Sequence, residues 1–531
     1  LEADLVLFNG RIYTLDHELP VAQAVAVRCG RIIAVGDDAD ICALAGPDTE
    51  HLDLHASTVL PGFTDAHIHF VNYGLSLTRV QLDGVTSLQE AVRRVAERAR
   101  KAQPGEWIRG RGWNRNLWPG APFPSKHDLD PVTPHNPVYL PSKDGHAAWV
   151  NSLALQCAGI TADTADPPGG RFERDPRTRE PTGLAKEPPA IDIIEDAAGP
   201  PSLVEREKAI HAATERLHRL GVVGVHVPEE VHEFAALQSV WLKGELDLRV
   251  NVMMADKYLD GALKAGLRAG LGDEFLRLCA VKIYADGSLG SRTADMFEPY
   301  EGEPDNRGIE VTSSEALSQL IGACTTGGWS VAIHSIGDRA NRRVLDALEE
   351  HWREWSSRGL RPRIEHVQLI APHDLPRLGA MGVIASMQPA HCTSDMLMAE
   401  RCWGARCSGA YAWRSLVDCG ALLAFGSDAP VEEPDVLRGI FAAVTRQRED
   451  GTPSGGWYPE QCLTVPEAVY AYTMGAAYAS GEERIKGSLS LGKQADMVVL
   501  SQDIFDLPPH EISSTRVEAT ILAGEVVYSA S

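Results

Sequence analysis

Residues 61–69 read Pro61-Gly62-Phe63-Thr64-Asp65-Ala66-His67-Ile68-His69 and follow the apolar run Thr58-Val59-Leu60. An apolar, β-branched run that ends in polar residues predicts a buried strand delivering chemistry at its tip. Residues two apart on an extended chain project to the same side, so His67 and His69 can grip one ion. The competing reading is two rim histidines bonded to backbone.

Seven further runs repeat the pattern: 221–227, 249–254, 278–284, 329–333, 363–367, 382–387 and 421–425. Near-continuous apolar runs are what parallel strands buried on both faces look like. Helical patterns separate many of them. Ser87–Lys101 places Leu88, Ala91, Val92, Val95, Ala96 and Ala99 on one face, and Ser87 with Glu90 forms a capping box. A second helix opens at Ser202 with Glu205 and stops at Gly221, and a third opens at Thr464 with Glu467. Strand alternating with helix eight times favours an α/β fold, a closed (β/α)8 TIM-like barrel, over an open doubly wound sheet.

Both ends of the chain read differently. Leu5–Phe8, Asn9-Gly10 and Arg11–Tyr13, then Ala24–Val27 and Arg31–Val35, predict antiparallel hairpins. Met497–Leu500, Ala519–Leu522 and Val526–Tyr528 repeat that style at the far end. The expectation is one β-sandwich domain built from 1–57 and 486–531, around a barrel spanning 58–485. The first two barrel strands are too far apart for one helix, which predicts an inserted subdomain over about 71–200 that shapes the substrate pocket.

With 531 residues, 44% of them hydrophobic, the composition is ordinary and globular. A net charge of -23 argues against nucleic acid or an anionic membrane as partner, because phosphate binding needs concentrated Lys and Arg. No run approaches the roughly 20 apolar residues that span a bilayer, and residues 1–50 hold no signal-like pattern, so a cytoplasmic location is the default expectation. The ten cysteines form no C-x-x-C pair and read as small buried hydrophobes; Cys402 and Cys407 fit zinc-ligand spacing poorly.

Four later segments agree in order with the opening H-x-H. They are Val281–Arg292 with Lys282, Ala332–Asp338 with His334, Arg363–His366, and Phe425–Pro430 with Asp428. Together they resemble the amidohydrolase superfamily, in its YtcJ-like branch that includes N-substituted formamide deformylases, over nearly the whole chain. The resemblance implies two divalent metal ions, with zinc the expectation. His67 and His69 would hold the more buried ion and His334 and His366 the more exposed one. Asp428 would bind the buried ion and act as the catalytic acid and base. Lys282 would bridge both as a carbamate formed with carbon dioxide, since an ammonium has no lone pair to offer. The competing readings are a Lys282 pair with Asp286 and a helix-capping Asp428.

The activity so implied is hydrolysis of an amide-type C–N bond in an N-formyl or N-acyl small molecule, by a hydroxide held between the ions. Deamination of a cyclic imine at a single metal is the enzyme alternative, and a catalytically silent scaffold is the alternative of another class. Further candidates for substrate contact are His146, His391, Trp113 and Arg292, with His226 behind them. Arg292 could equally pair with Asp295 or Glu298. Trp113, Trp118, Phe123 and Trp149 could equally be core of the insert. A homodimer is the base-rate expectation for assembly.

Overall fold

The computed structural model describes residues 2–143 and 147–530, apart from the side chain of Pro188. Two compact units divide the chain, one of residues 1–73 with 210–531 and the other of residues 74–209.

In the first unit, eight parallel strands stand side by side in chain order: Phe63–Asp65, Val222–Val227, Arg249–Ala255, Leu276–Tyr284, Ser330–Ser335, Arg363–His366, Ile384–Met387 and Leu423–Phe425. The first and last meet through backbone bonds just past their ends. Ala66 N donates to Phe425 O (2.9 Å), Asp428 N to His67 O (2.7 Å) and His69 N to Ala429 O (2.9 Å). Every strand tip thereby converges on one rim, the end at which barrel enzymes place their chemistry. Helices fill the crossovers, among them Ser314–Gly327. Ser313 Oγ accepts from Ala316 N at its start, and Gly328, left-handed at φ +77°, stops it.

Thr58-Val59-Leu60 is not the first barrel strand. Thr58–Pro61 pairs with Met497–Leu500 and Arg11–Tyr13 in a separate six-stranded sheet, and the barrel strand begins at Phe63. Gly62 is the crossing point, where a Cβ would lie 2.5 Å from Val223 Cγ2. Both segments are fully buried and run on through Gly62, and the sequence pattern alone does not divide them.

The other correction concerns Asn9-Gly10. Ala3–Phe8 belongs to a four-stranded sheet with Ala24–Arg28, Arg31–Gly36 and Ala45–Asp53, whereas Arg11–Tyr13 belongs to the six-stranded one. The dipeptide changes sheets instead of turning a hairpin, with Asn9 at φ +59° and Leu54 Cδ1 packed where a Gly10 Cβ would stand. Cys29-Gly30 and Ala523-Gly524 do turn hairpins, with positive φ at all four residues. Leu5, Leu7, Val25 and Val27 from one sheet share a buried cluster with Ile12, Val59, Met497 and Ile521 from the other.

The unit of residues 74–209 has its own six-stranded sheet, ordered Arg171–Arg174, Pro181–Lys186, Ala147–Val150, Val138–Pro141, Ile108–Arg111 and Val80–Gln81. Helix Leu88–Ala99 packs Ala91 and Val95 on one face of this sheet, and Pro188–Ala198 packs Ala190, Ile191 and Ile194 on the other. No helix among the described residues is long and apolar enough to cross a membrane.

Candidate metal centre

The strand tips bring the sequence-marked residues together. Nitrogens of His67 and His69 and an oxygen of Asp428 lie within 4.8 Å of one another, and so do donor atoms of His366, His391 and Asp428. Asp428 is the shared member. Its Oδ1 is 3.4 Å from His69 Nε2 and 3.7 Å from His67 Nε2, and its Oδ2 is 3.7 Å from His391 Nε2. His334 stands next to the second group, its ring 4.5 Å from that of His366.

Most of these rings have one nitrogen tied to the protein. His67 Nδ1 is 2.6 Å from Glu365 Oε2, His366 Nδ1 is 2.8 Å from Gln388 Oε1, and His334 Nε2 donates to Gly287 O at 2.9 Å. His391 Nδ1 is 3.3 Å from Gln368 Nε2, and its buried Nε2 has no hydrogen-bond partner. Rings fixed through one nitrogen with the other turned toward a common point are the usual architecture of metal-ligating histidines. Imidazole and carboxylate donors of this kind suit a divalent ion.

Backbone geometry supports the placement. His366 (φ +77°) and Asp428 (φ +60°) are left-handed non-glycine residues at strand ends, a conformation that costs about 1–3 kcal/mol each. Asp65 clamps the first and eighth strands, its Oδ1 accepting from His67 N (3.1 Å) and Ser427 N (3.0 Å). Gly426 has to be glycine, because a Cβ there would lie 2.5 Å from His67 N and 2.6 Å from Asp65 Oδ1.

Burial governs the electrostatics. It would raise the Asp428 carboxyl, but the surrounding His69, His67, His366 and His391 hold it well below the usual carboxylate range. Burial and then Lys282 push His334 down to about 3, and burial and then His334 push His366 well below the normal range. His334 and His366 are therefore neutral, the state that offers a lone pair. Burial also brings the Lys282 amine down to about 8, against the pull of Glu365 and Asp428. Among the described residues Lys282 Nζ has no ion pair within 4.0 Å; it lies 5.0 Å from the Tyr284 ring centre. Asp286 is not its partner, since that carboxylate accepts from the backbone N–H groups of Asp295, Ile336 and Gly337.

Not every candidate joins the centre. His226 is an interior hydrogen-bonder, its Nδ1 2.8 Å from an Arg363 nitrogen. Arg292 is exposed and pairs with Glu303, not with Asp295 or Glu298. Trp113 is buried in the core of its own unit, where it packs on Trp118 and Trp149 and donates to Leu140 O. Phe123 is exposed beneath the cations of Arg115 and Lys186. His146 lies outside the described residues. Sequence reasoning missed Glu365, Arg363 and Gln388. Opposite charges at Arg363 and Glu365, two apart in an otherwise apolar run, were the available signal.

The amidohydrolase family profile matches residues 50–528, and the chain belongs to that family. It is 35% identical to Protein LONG AFTER FAR-RED 3 of Arabidopsis thaliana, over 99% of this chain and 92% of that one. It is 33% identical to the putative amidohydrolase YtcJ of Bacillus subtilis (98% and 99%) and 28% identical to the N-substituted formamide deformylase of Arthrobacter pascens (99% and 98%). Among solved structures, an uncharacterized metal-dependent hydrolase from Pyrococcus furiosus superposes with a TM-score of 0.77 at 27% identity, covering 94% of this chain and all of that one.

Proposed function

We propose that the protein hydrolyses an amide-type C–N bond of a small N-formyl or N-acyl compound, using two zinc-type ions. The observation that carries this reading is the pair of donor groups, His67–His69–Asp428 and His366–His391–Asp428, joined at one carboxylate on the barrel rim. His67, His69 and Asp428 would hold one ion. His366 and His334 would hold the other, with His391 in reach as a further donor or substrate contact. Lys282, with its amine pulled down to about 8, is the nitrogen suited to add carbon dioxide, losing a proton to give a carbamate that would supply two oxygen donors where the ammonium supplies none. When bound, divalent ions lower the pKa of water from roughly 15.7 to about 7 and polarise a carbonyl.

The chain's own residues do the rest. Asp428 is ionised at neutral pH and so is ready to take a proton from the attacking water and deliver it to the departing nitrogen. Water and amide are consumed, and amine and carboxylic acid (formate, for a formamide) are released. Glu365 holds His67 in one tautomer and Gln388 holds His366. The similarity to a formamide deformylase favours small N-substituted formamides as first substrates to try. Within the same proposal, the two terminal sheets pack as a β-sandwich around their shared core.

The test is metal content per chain for protein purified without chelator or histidine tag, measured beside turnover of N-substituted formamides. Near two ions, with turnover lost on chelation and restored by zinc, supports the reading. Turnover that survives complete metal removal overturns it.

A further inference from the structure

One stretch that the hydrolase reading leaves unused is Arg109-Gly110-Arg111-Gly112, in the unit of residues 74–209. Strand alternation sends Ile108 into the apolar core and puts Arg109 and Arg111 on the opposite face. Gly110 keeps the core side flat, since a Cβ would stand 2.6 Å from Val80 O. Parallel pairing sets Gly110 beside Val80 and Arg111 beside Gln81, so Arg79, one residue earlier, neighbours Arg109. On the other flank Arg109 pairs with Tyr139. Arg79, Arg109 and Arg111 together line a cleft of 610 Å³, walled opposite by Ile191, Asp192 and Glu195 of helix Pro188–Ala198.

Like charges on neighbouring sheet positions repel, and a chain of net charge -23 has carboxylates to spare for them. Yet among the described residues none of the three arginines has an ion pair within 4.0 Å. Arg109 donates only to the carbonyls of Ala198 (2.6 Å) and Gly199 (2.7 Å), and its buried Nε has no partner. The adjacent acids act on the arginines only from beyond ion-pair distance, Asp83 on Arg111 and Glu195 on Arg79, while Asp83 Oδ1 takes Lys143 Nζ at 2.7 Å and Glu195 accepts from the Tyr139 hydroxyl at 3.1 Å. Asp192 alone stands uncommitted, at the exposed rim.

We infer that this cleft is an anion site that binds a phosphoryl dianion, as free phosphate or as a phosphate monoester, through Arg79, Arg109 and Arg111. A guanidinium presents a planar fork that fits phosphate oxygens with charge-assisted bonds. A carboxylate would occupy one fork and leave two cations uncompensated, whereas three phosphoryl oxygens can engage all three. The site lies wholly within one unit and uses none of the centre's residues, so it stands independently of the hydrolase reading.

Isothermal calorimetry on the full chain with its metal, using inorganic phosphate and phenyl phosphate as probes, tests it. One saturable site is expected, weakened about 10- to 100-fold in Arg79→Gln and in Arg111→Gln, as loss of a charge-assisted bond gives. Hydrolytic turnover should be unchanged in both. Tighter phenyl phosphate would identify a monoester site, and equal affinity a free-phosphate site. Exposed Arg111 keeps the test decisive if Arg79→Gln fails to fold. No saturable binding by the wild type, or equal binding by the folded variants, overturns the inference.

Discussion

Glu365→Gln tests the link between the barrel interior and the centre. Glu365 is fully buried, with Oε2 2.6 Å from His67 Nδ1 and Oε1 2.6 Å from Arg363 Nε. Both neighbours are donors. A glutamine can present its oxygen to only one of them and must point its NH₂ at the other. Two consequences follow on different observables. Arg363, itself buried, loses its counter-charge, and breaking such a pair costs about 3–5 kcal/mol of stability. His67 keeps at most a neutral amide in place of the carboxylate that fixes its tautomer, and loss of such a partner typically weakens metal binding about 10- to 100-fold, or roughly 1.4–2.7 kcal/mol. Thermal melting of metal-free protein reads the first term, and competition with a chromogenic chelator reads the second. The double variant Arg363→Met/Glu365→Leu separates them. Replacing both charges by apolar groups should recover most of the stability. Metal affinity should stay low, since His67 Nδ1 still lacks its carboxylate. Metal affinity in Glu365→Gln within about threefold of wild type would refute the reasoning.

Asp428→Asn should lower turnover about 10²–10⁴-fold while bound metal is largely kept, as parallel elemental analysis and kinetics would register. Lys282→Ala should lose one or both ions, with activity partly restored by a short carboxylate in solution; a variant with two ions and full activity would dismiss the bridge. Gly426→Ala must move backbone, because the new Cβ meets His67 N at 2.5 Å, so a loss of about 1–3 kcal/mol and reduced metal content are expected from melting and elemental analysis. Glu467 is held at about 2 by hydrogen bonds from Arg414. Its stabilising effect is therefore full above the unfolded value near ~4.3 and fades as pH falls through about 2. The melting-temperature gap between wild type and Glu467→Gln should narrow over that window, and a gap that widens would contradict the assignment.

Much of this centre is legible in the sequence because barrel chemistry sits where strands end. His67, Lys282, His334, His366 and Asp428 each fall at or just past the end of an apolar run, and chain order alone brings them to one rim. The misread boundaries share a cause. Thr58–Pro61 and Phe63–Asp65 are equally buried, and which sheet takes each is settled by partners far along the chain, Met497–Leu500 for one and Val222–Val227 for the other. Asn9-Gly10 has hairpin chemistry, but Ala3–Phe8 finds better neighbours in Ala24–Arg28 and Ala45–Asp53. Glu365 and Gln388 went unseen for a related reason. Each bonds a histidine that belongs to another element, and only the folded register places Glu365 against His67.

The charged interior beneath the rim is best understood through that register. Arg363 reaches His226 on one side and Glu365 on the other, and Glu365 reaches His67. Burial would raise Glu365, but Arg363 and then His67 hold it well below the carboxylate range, so it stays ionised and demands a donor from each neighbour. His67 Nδ1 must then carry the proton, which leaves Nε2, 3.7 Å from Asp428, as the lone pair. Buried ion pairs are weak evidence for stability, because desolvation consumes most of their attraction. What the pair supplies here is orientation: a carboxylate locked by a buried guanidinium cannot turn away, so His67 can present only one nitrogen to the centre. Arg249 and Asp496 apply the same device farther from the rim, joining the third barrel strand at 2.6 and 2.9 Å to the segment that enters the terminal sheet. Each ion pair fixes a direction where an apolar contact would fix only a distance.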